Sequence, residues 1–359
     1  MPATIKNSAD RRPARLGYAW ILYFVLAGRI ALGGADTGAS SCAACHRAQA
    51  LAQPSTSMGR ALERVADSEI LRSNPLLTFR EGAFTFRITR QGDRSIYSVA
   101  RGSETVSEPI AYAFGLGSAG QTYVYQRNGN WYEARVSFFK TISGLDLTLG
   151  HASIKPHNIE EAAGREIAPP EAVACFGCHS THASTGGKLQ LESLVPGVQC
   201  ERCHGLAEKH QAAVKSGDAK NASMPGLGKL TAEEMSDFCG QCHRTWSQIA
   251  MKGPHDINNV RFQPYRMTNS RCYDVADLRI SCVACHDPHR EVEHGAALYD
   301  AKCTACHGAV VRERNAKSCP KATTNCTSCH MPKLEIPGSH NVFTDHQIRI
   351  VKPGQPYPS

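Results

Sequence analysis

The sequence Cys175-Phe176-Gly177-Cys178-His179 decides the fold of this chain. It places two cysteines three residues apart, with a histidine directly after the second. This pattern, called a pentad below, occurs seven times and uses fourteen of the sixteen cysteines. Numbered 1 to 7 in chain order, the pentads begin at Cys42, Cys175, Cys200, Cys239, Cys282, Cys303 and Cys326. Almost all cysteines of the chain therefore belong to this one repeated motif.

The pentad is the attachment sequence of c-type haem. Cysteines at i and i+3 lie on the same side of a helical turn, where both thiols can form thioethers with the haem vinyl groups. The histidine that follows supplies an imidazole to the iron. The expected attachment cysteines are Cys42, Cys45, Cys175, Cys178, Cys200, Cys203, Cys239, Cys242, Cys282, Cys285, Cys303, Cys306, Cys326 and Cys329. The expected proximal ligands are His46, His179, His204, His243, His286, His307 and His330. We therefore expect seven covalently attached haem c groups.

Other uses of paired cysteines fit the pattern poorly. Zinc ribbons need two pairs per metal, and seven is an odd number. A thioredoxin-like redox motif occurs once beside a βαβ unit. A disulfide framework gives no reason for the repeated histidine.

The N-terminus has the features of a secretory signal peptide, which we expect over 1–35. Arg11, Arg12 and Arg15 form a basic region, Leu16 to Gly28 is apolar, and Gly33-Gly34-Ala35 offers small residues for cleavage. The apolar run is short for a bilayer span, although an uncleaved anchor stays open as an alternative. Export predicts a periplasmic or extracellular location, with membrane association only through an uncleaved N-terminal segment.

The formal net charge of +8 does not identify a partner. Segment 1–35 carries five basic residues and one acid, so half of the excess lies there. Haem propionates would offset the rest. Dispersed lysine and arginine indicate a solvated surface and propionate partners, and nothing points to nucleic acid.

The pentads divide the chain unevenly. We predict a segment for the first haem over 36–76, a β-rich insert over 77–147 and a hexahaem region over 148–359. The insert is rich in aromatic residues and shows alternation typical of strands, as in Ala83 to Ile88. Asn128-Gly129 between two such runs predicts a hairpin. The insert could be a docking surface, a wall for the first haem or a scaffold.

Beyond residue 170 the pattern changes to short helices broken by glycine and proline. Ala207 to Lys215 and Thr231 to Cys239 favour helices. Leu194 to Gln199, Gly253 to Pro264 and Lys333 to Ser359 favour irregular connections. The expected fold is a multihaem cytochrome c, in which short α-helices and irregular loops wrap round a haem stack with a small inserted antiparallel β module.

The second axial ligand of each iron decides whether that haem passes electrons or binds substrates. Nine histidines lie outside the pentads, and they are His151, His157, His182, His210, His255, His289, His294, His340 and His346. The strongest candidates by position are His182, His210, His289, His340 and His346, with His255 behind them. The first haem has no further histidine nearby, so Met58 is its candidate ligand, against a methionine that only packs. Cys272 and Cys319 are left over, and a disulfide between them is expected in an oxidising compartment.

Three local sequences carry a family resemblance. They are Cys-His-Asp-Pro-His at 285–289, Cys-His-Gly at 203–205 and Cys-His-Met-Pro-Lys at 329–333. With the segment Gly338 to His346, they resemble multihaem c-type cytochromes of the doubled-CxxCH class, related to the tetrahaem carrier that accepts electrons from hydroxylamine oxidoreductase. The likeness covers roughly 40–60 and 170–350. It implies bis-histidine haems in electron transfer, with His289 and His346 as distal ligands.

Three functions follow from these features. The first is an exported carrier between redox protein partners, such as a membrane quinol-oxidising complex and a terminal reductase. The second is an oxidoreductase acting on a small nitrogen or sulfur compound at a haem with an open site. The third is a subunit or protomer of a larger electron-conducting complex. Surplus histidines favour the first, because they close the irons to substrates.

Overall fold

The structure is a computed structural model that describes residues 39–308, 319, 321–352 and 354–358. The expected signal peptide, 1–35, lies outside the described residues. Helices over these ranges are too short or too polar for any of them to cross a membrane.

Strands dominate the first part of the described chain. Those of the main sheet are β1 (Leu62–Arg64), β2 (Leu76–Glu81), β3 (Phe84–Gln91), β4 (Arg94–Arg101), β5 (Glu104–Phe114), β6 (Gln121–Arg127), β7 (Asn130–Phe139), β8 (Gly144–Leu147) and β9 (Gly164–Ile167). Later short strands are β10 (Ser180–Thr181), β11 (Ser184–Thr185), β12 (Lys188–Leu189), β13 (Val195–Pro196), β14 (Lys333–Glu335) and β15 (Val342–Thr344).

Nine of the described strands form one antiparallel sheet. Its main path runs β2-β3-β4-β5-β6-β7-β8, with β1 paired to β5 and β9 paired to β7. Strand β5 shifts register between Ile110 and Tyr112, which lets its first half pair with β4 and its end pair with β1. Strands β2 and β8 lie close together, so the sheet is nearly closed on itself.

The predicted hairpin is confirmed. Arg127 pairs with Asn130, and the two residues between them, Asn128 and Gly129, have φ of 50° and 84°. A two-residue turn with positive φ at both positions matches the twist of the flanking strands. Asparagine and glycine tolerate that backbone at little cost.

The sheet has an apolar face on each side. Its inner cluster includes Phe86, Tyr97, Val99, Tyr123 and Val136, all fully buried. The second cluster lies on the opposite face and joins sheet residues to the helix that carries pentad 2. Burial of both faces fixes the register, because a slip of one residue would exchange them.

Helices carry the pentads. They are α1 (Ala39–Cys42), α2 (Arg47–Ala52), α3 (Glu69–Ser73), α4 (Ile159–Ala163), α5 (Pro169–His179), α6 (Cys200–His204), α7 (Glu208–Ser216), α8 (Ala232–His243), α9 (Trp246–Lys252), α10 (Gln263–Thr268), α11 (Cys282–Cys285), α12 (Ala296–His307) and α13 (Cys326–His330). Single 3₁₀ turns lie at Gln53–Ser55, Lys140–Ile142, Leu227–Lys229, Ile257–Arg261 and Leu278–Ile280. Thr231 caps α8 with a capping box to Glu234, so the helix predicted there is confirmed.

The expected fold understates the β structure. Helices and loops round a haem stack with a small module describe only part of the chain, because the nearly closed sheet also recruits Leu62–Arg64 and Gly164–Ile167 from outside 77–147. These strands pair through backbone groups along β5 and β7, which leaves little side-chain pattern in the sequence. Within the C-terminal stretch expected to be irregular, β14 and β15 pair with each other. The boundaries predicted for the domains stay predictions.

Candidate haem-attachment sites

Each pentad places its two cysteines on one helical turn. In pentads 3 and 7 the pentad itself is the helix, as in α6 and α13, while α5, α8 and α12 end at their pentad histidine. In pentad 1 the backbone N–H groups of Cys45 and His46 both donate to the Cys42 carbonyl, at 3.2 and 2.8 Å. This is the arrangement that the i, i+3 spacing predicts, with both sulfurs directed to one side.

Several pentads lie against one another. The Cys178 thiol of pentad 2 donates to the Gln241 carbonyl of pentad 4 at 3.4 Å, and Arg202 of pentad 3 donates to the Cys242 sulfur of pentad 4 at 3.8 Å. Helix α8 packs against α11, and α12 packs against both α11 and α13. Haem groups held by these pentads would therefore be neighbours.

Pairs of histidine rings from distant parts of the chain face each other. Among the described residues, the ring centroids of His46 and His210 are 6.3 Å apart, those of His204 and His289 6.1 Å, and those of His286 and His346 6.2 Å. With metal–nitrogen bonds of about 2 Å and a ring centre about 1 Å behind each nitrogen, two imidazoles on opposite faces of one iron have centroids about 6 Å apart. The residues present therefore fit a haem iron between each pair.

Hydrogen bonds orient several of these rings. In three of them Nδ1 is within hydrogen-bond distance of a backbone carbonyl oxygen. His179 pairs with Ala61 at 3.0 Å, His330 with Arg349 at 2.9 Å, and His346 with Thr344 at 2.9 Å. His210 makes the same contact with the Ala222 carbonyl. An Nδ1–H that donates to a carbonyl fixes the tautomer and leaves Nε2 as the metal-binding nitrogen.

Burial keeps several rings neutral. Desolvation lowers the pKa of His346 to about 4. Desolvation also lowers the pKa of His179, His204, His243 and His286. A metal binds only the neutral imidazole, so these environments favour ligation.

His182 and His340 are placed differently from the paired rings. The Nε2 atom of His182 lies 2.7 Å from a carboxylate oxygen of Glu201, and that of His340 lies 2.7 Å from a carboxylate oxygen of Asp146. The His340 ring also packs on Phe139 of the sheet. In both residues Nε2 is hydrogen-bonded to a carboxylate, whereas other histidines leave this nitrogen free to bind a metal. Their predicted ligation stays a prediction.

The remaining predicted ligands lie apart from these pairs. Met58 is half-buried, and its backbone carbonyl accepts from Ala61 and Val198. His255 is exposed. Of the weaker candidates, His151 is buried against Glu133 at 3.0 Å, while His157 and His294 are exposed. The roles of Met58 and His255 as ligands stay predictions.

A buried ion pair holds the segment that carries His346. Arg266 on α10 donates from Nε and Nη2 to the two carboxylate oxygens of Asp345, at 2.9 and 3.0 Å. Arg266 is 1% exposed and Asp345 is 0% exposed. Burial raises the pKa of Asp345, but the hydrogen bonds and charge of Arg266 outweigh it and hold that pKa below its usual value. The pair fixes the backbone next to His346, and no local sequence pattern indicates it.

The sheet covers pentad 2. Phe176, between the two cysteines of that pentad, is buried against the rings of Tyr112, Phe114 and Trp131, with centroids 5.3, 5.2 and 5.1 Å away. The His179 ring lies edge-on to Phe114, at 5.2 Å. The sheet is therefore packed against the second attachment site. A docking surface, a wall for the first haem and a scaffold stay the predicted roles of the insert.

The two leftover cysteines do not form the expected disulfide. Cys272 and Cys319 are both free and exposed. The sulfurs that interact electrostatically with Cys272 are those of Cys303 and Cys306 in pentad 6. The expectation rested on compartment alone, and compartment does not bring two chain segments together.

Comparisons with known proteins agree with the attachment sites. Residues 147–205 match the family model "Cytochrome c554 and c-prime". The chain is 24% identical over 215 residues to the "Multiheme cytochrome MtrA" of Shewanella baltica (strain OS185), which covers 55% of this chain and 56% of the relative. It thus spans little more than half the length of that relative. No solved structure matches the chain significantly.

These matches support a multihaem c-type cytochrome with covalently bound haem. The region of the family match includes pentads 2 and 3. A relation to the carrier of hydroxylamine oxidation is not among the findings.

Proposed function

We propose that this chain is an exported c-type cytochrome that carries seven haems and transfers electrons between redox protein partners. The observation that carries the proposal is the spacing of the three facing histidine pairs found in the described chain, 6.1 to 6.3 Å, each of which joins a pentad histidine to one outside the pentads. An iron held by two imidazoles is closed to substrates and exchanges electrons.

The pentad residues and three further histidines have distinct roles. The pentad cysteines would hold each haem, and the pentad histidines would bind its iron. His210 in pentad 1, His289 in pentad 3 and His346 in pentad 5 would supply the second imidazole. Covalently bound haem supplies the one-electron chemistry of its iron.

The first and seventh pentads are the accessible ends for redox partners. Cys45 and His46 of pentad 1 and Cys329 of pentad 7 are exposed. By contrast, His179 of pentad 2 is half-buried and packs edge-on to Phe114 of the sheet. Exposed attachment sites allow a partner's redox centre to approach. The same two ends would also suit a subunit of a larger electron-conducting complex.

Film voltammetry of the purified holoprotein tests the proposal. We expect reversible uptake and release of seven electrons, with no catalytic current when nitrite or hydroxylamine is added. A variant with Cys326→Ser and Cys329→Ser should exchange six. A catalytic current, together with a high-spin iron that binds nitrite, would instead assign the chain to the substrate-converting oxidoreductases.

Export is tested separately by the N-terminal sequence of the mature protein. Expressed in a host that attaches haem c, the full chain should yield a product that begins near Asp36. A product that begins at Met1 and stays with the membrane fraction would show that the N-terminal segment is an uncleaved anchor.

A further inference from the structure

Pentad 4 is in contact with three other pentads. Its helix α8 packs against α11, which carries pentad 5, and the Cys178 thiol of pentad 2 donates to the Gln241 carbonyl of pentad 4 at 3.4 Å. On a third side, Arg202 of pentad 3 reaches the Cys242 sulfur. Each of these three contacts reaches a different pentad.

Arg202 of pentad 3 contacts both pentad 2 and pentad 4. Its Nη2 donates to the Cys242 sulfur at 3.8 Å, and its Nε donates to the Gly177 carbonyl of pentad 2 at 3.0 Å. One guanidinium from pentad 3 therefore spans pentads 2 and 4. Because it is always charged and planar, it holds two partners in a fixed relation.

The remaining pentads follow one another. Pentad 1 lies beside the helix that follows pentad 3, because the His46 ring is 6.3 Å from the ring of His210 on α7. Helix α12, which carries pentad 6, packs against α11 of pentad 5 and α13 of pentad 7, and Asp300 on α12 accepts from the Cys326 backbone N–H at 2.7 Å. Contacts thus lead from pentad 1 through 3, 4, 5 and 6 to 7.

Pentad 2 has contacts on two sides. Its helix α5 packs against α8 of pentad 4, where the Cys178 thiol reaches the Gln241 carbonyl. The same helix packs against the sheet through Phe176.

We infer that pentad 4 is a three-way junction and that pentad 2 is a covered side branch from it. This rests on the proposed electron-transfer function. Electrons that enter at pentad 1 reach pentad 7 through pentads 3, 4, 5 and 6. The haem of pentad 2 stores one electron beside that path and meets no partner, since the sheet lies over it.

The iron positions in the native holoprotein test this inference directly. A crystal or cryo-EM structure should place the irons of pentads 2, 3 and 5 nearest to that of pentad 4, and the iron of pentad 2 should have its nearest neighbour there. An iron of pentad 2 lying between those of pentads 1 and 3, in chain order, overturns the junction. The proposed function would fail differently, through loss of reversible reduction.

Two matched variants give an independent readout by EPR of the ferric protein. Cys175→Ser with Cys178→Ser removes one haem at the branch, and we expect one other haem signal to change. Cys239→Ser with Cys242→Ser also removes one haem, but at the junction, and three other signals should change. Equal numbers of changed signals in the two variants contradict the inference. Should a variant not accumulate, the native iron positions decide.

Discussion

The imidazole rings of His204 and His289 lie nearly parallel, with 9° between their planes and 6.1 Å between their centroids. His204 belongs to pentad 3, and His289 lies in the loop after pentad 5. The end of helix α6 and a loop far from it in sequence thus present their rings to a common space. That space has the width needed for a metal ion bound by both nitrogens.

His289→Ala should convert one low-spin haem to the five-coordinate high-spin form, because the iron of pentad 3 would lose one of its two imidazoles. Low-temperature EPR and cyanide binding measure the change. His182→Ala is the control, since its Nε2 lies 2.7 Å from a carboxylate oxygen of Glu201, and it should leave the spin state of every haem unchanged. A new high-spin signal from His182→Ala alone would make that residue a ligand, as the sequence suggested.

Pentad 1 offers a direct choice between two ligands. His210→Ala should make its haem high-spin, because the His210 ring faces His46 at 6.3 Å. Met58→Ala should leave the spectrum and the reduction potential of that haem unchanged. The reverse result, in which Met58→Ala lowers the potential and His210→Ala has no effect, restores methionine as the ligand.

Arg266→Ala should lower the free energy of unfolding by about 3–5 kcal/mol, because it leaves the Asp345 carboxylate buried and unpaired. It should also release His346, so that the haem of pentad 5 becomes partly high-spin. Chemical denaturation and EPR report the two effects. The matched control is Arg279→Ala, which removes a pair with Asp277 at the surface and should leave the free energy of unfolding nearly unchanged. Equal losses of unfolding free energy in both variants would show that the buried Arg266–Asp345 pair stabilises the fold no more than a surface pair does.

The sheet should lose stability in acid through Glu133. Burial raises the pKa of this carboxyl, but the hydrogen bond with His151 and the charge of Arg165 outweigh it, so its pKa lies below the ordinary value. The unfolded chain then binds the proton more readily. The stabilising contribution is complete above the ordinary glutamate pKa and is lost as the pH falls through the lower pKa of the fold.

Denaturation followed by circular dichroism across acid pH checks this expectation. Glu133→Gln should flatten the dependence of stability on pH below the ordinary glutamate pKa, while Glu192→Gln, an exposed carboxyl, should leave it as in the native chain. An unchanged slope in Glu133→Gln would show that other groups control the acid response.

Local chemistry made some features predictable. The hairpin at Asn128-Gly129 and the helix capped by Thr231 each depend on residues within a few positions. The attachment pentads also depend only on neighbours. These features could be predicted because neighbouring residues alone determine them.

Features that depend on distant pairing could not be predicted in the same way. Arg266 and Asp345 are 79 residues apart, and neither sits in a pattern that indicates the other. The strands at Leu62–Arg64 and Gly164–Ile167 join the sheet through backbone groups. The sequence offered His210 as a ligand, but its pairing with His46 arises only when the fold brings α7 beside pentad 1.

The intact mass of the purified protein, read with its absorption spectrum, tests the central claim most directly. From a host that attaches haem c, we predict the mass of the processed chain plus seven haem groups, with a strong Soret band. A colourless product with free pentad thiols, and a mass equal to the polypeptide alone, would contradict the account.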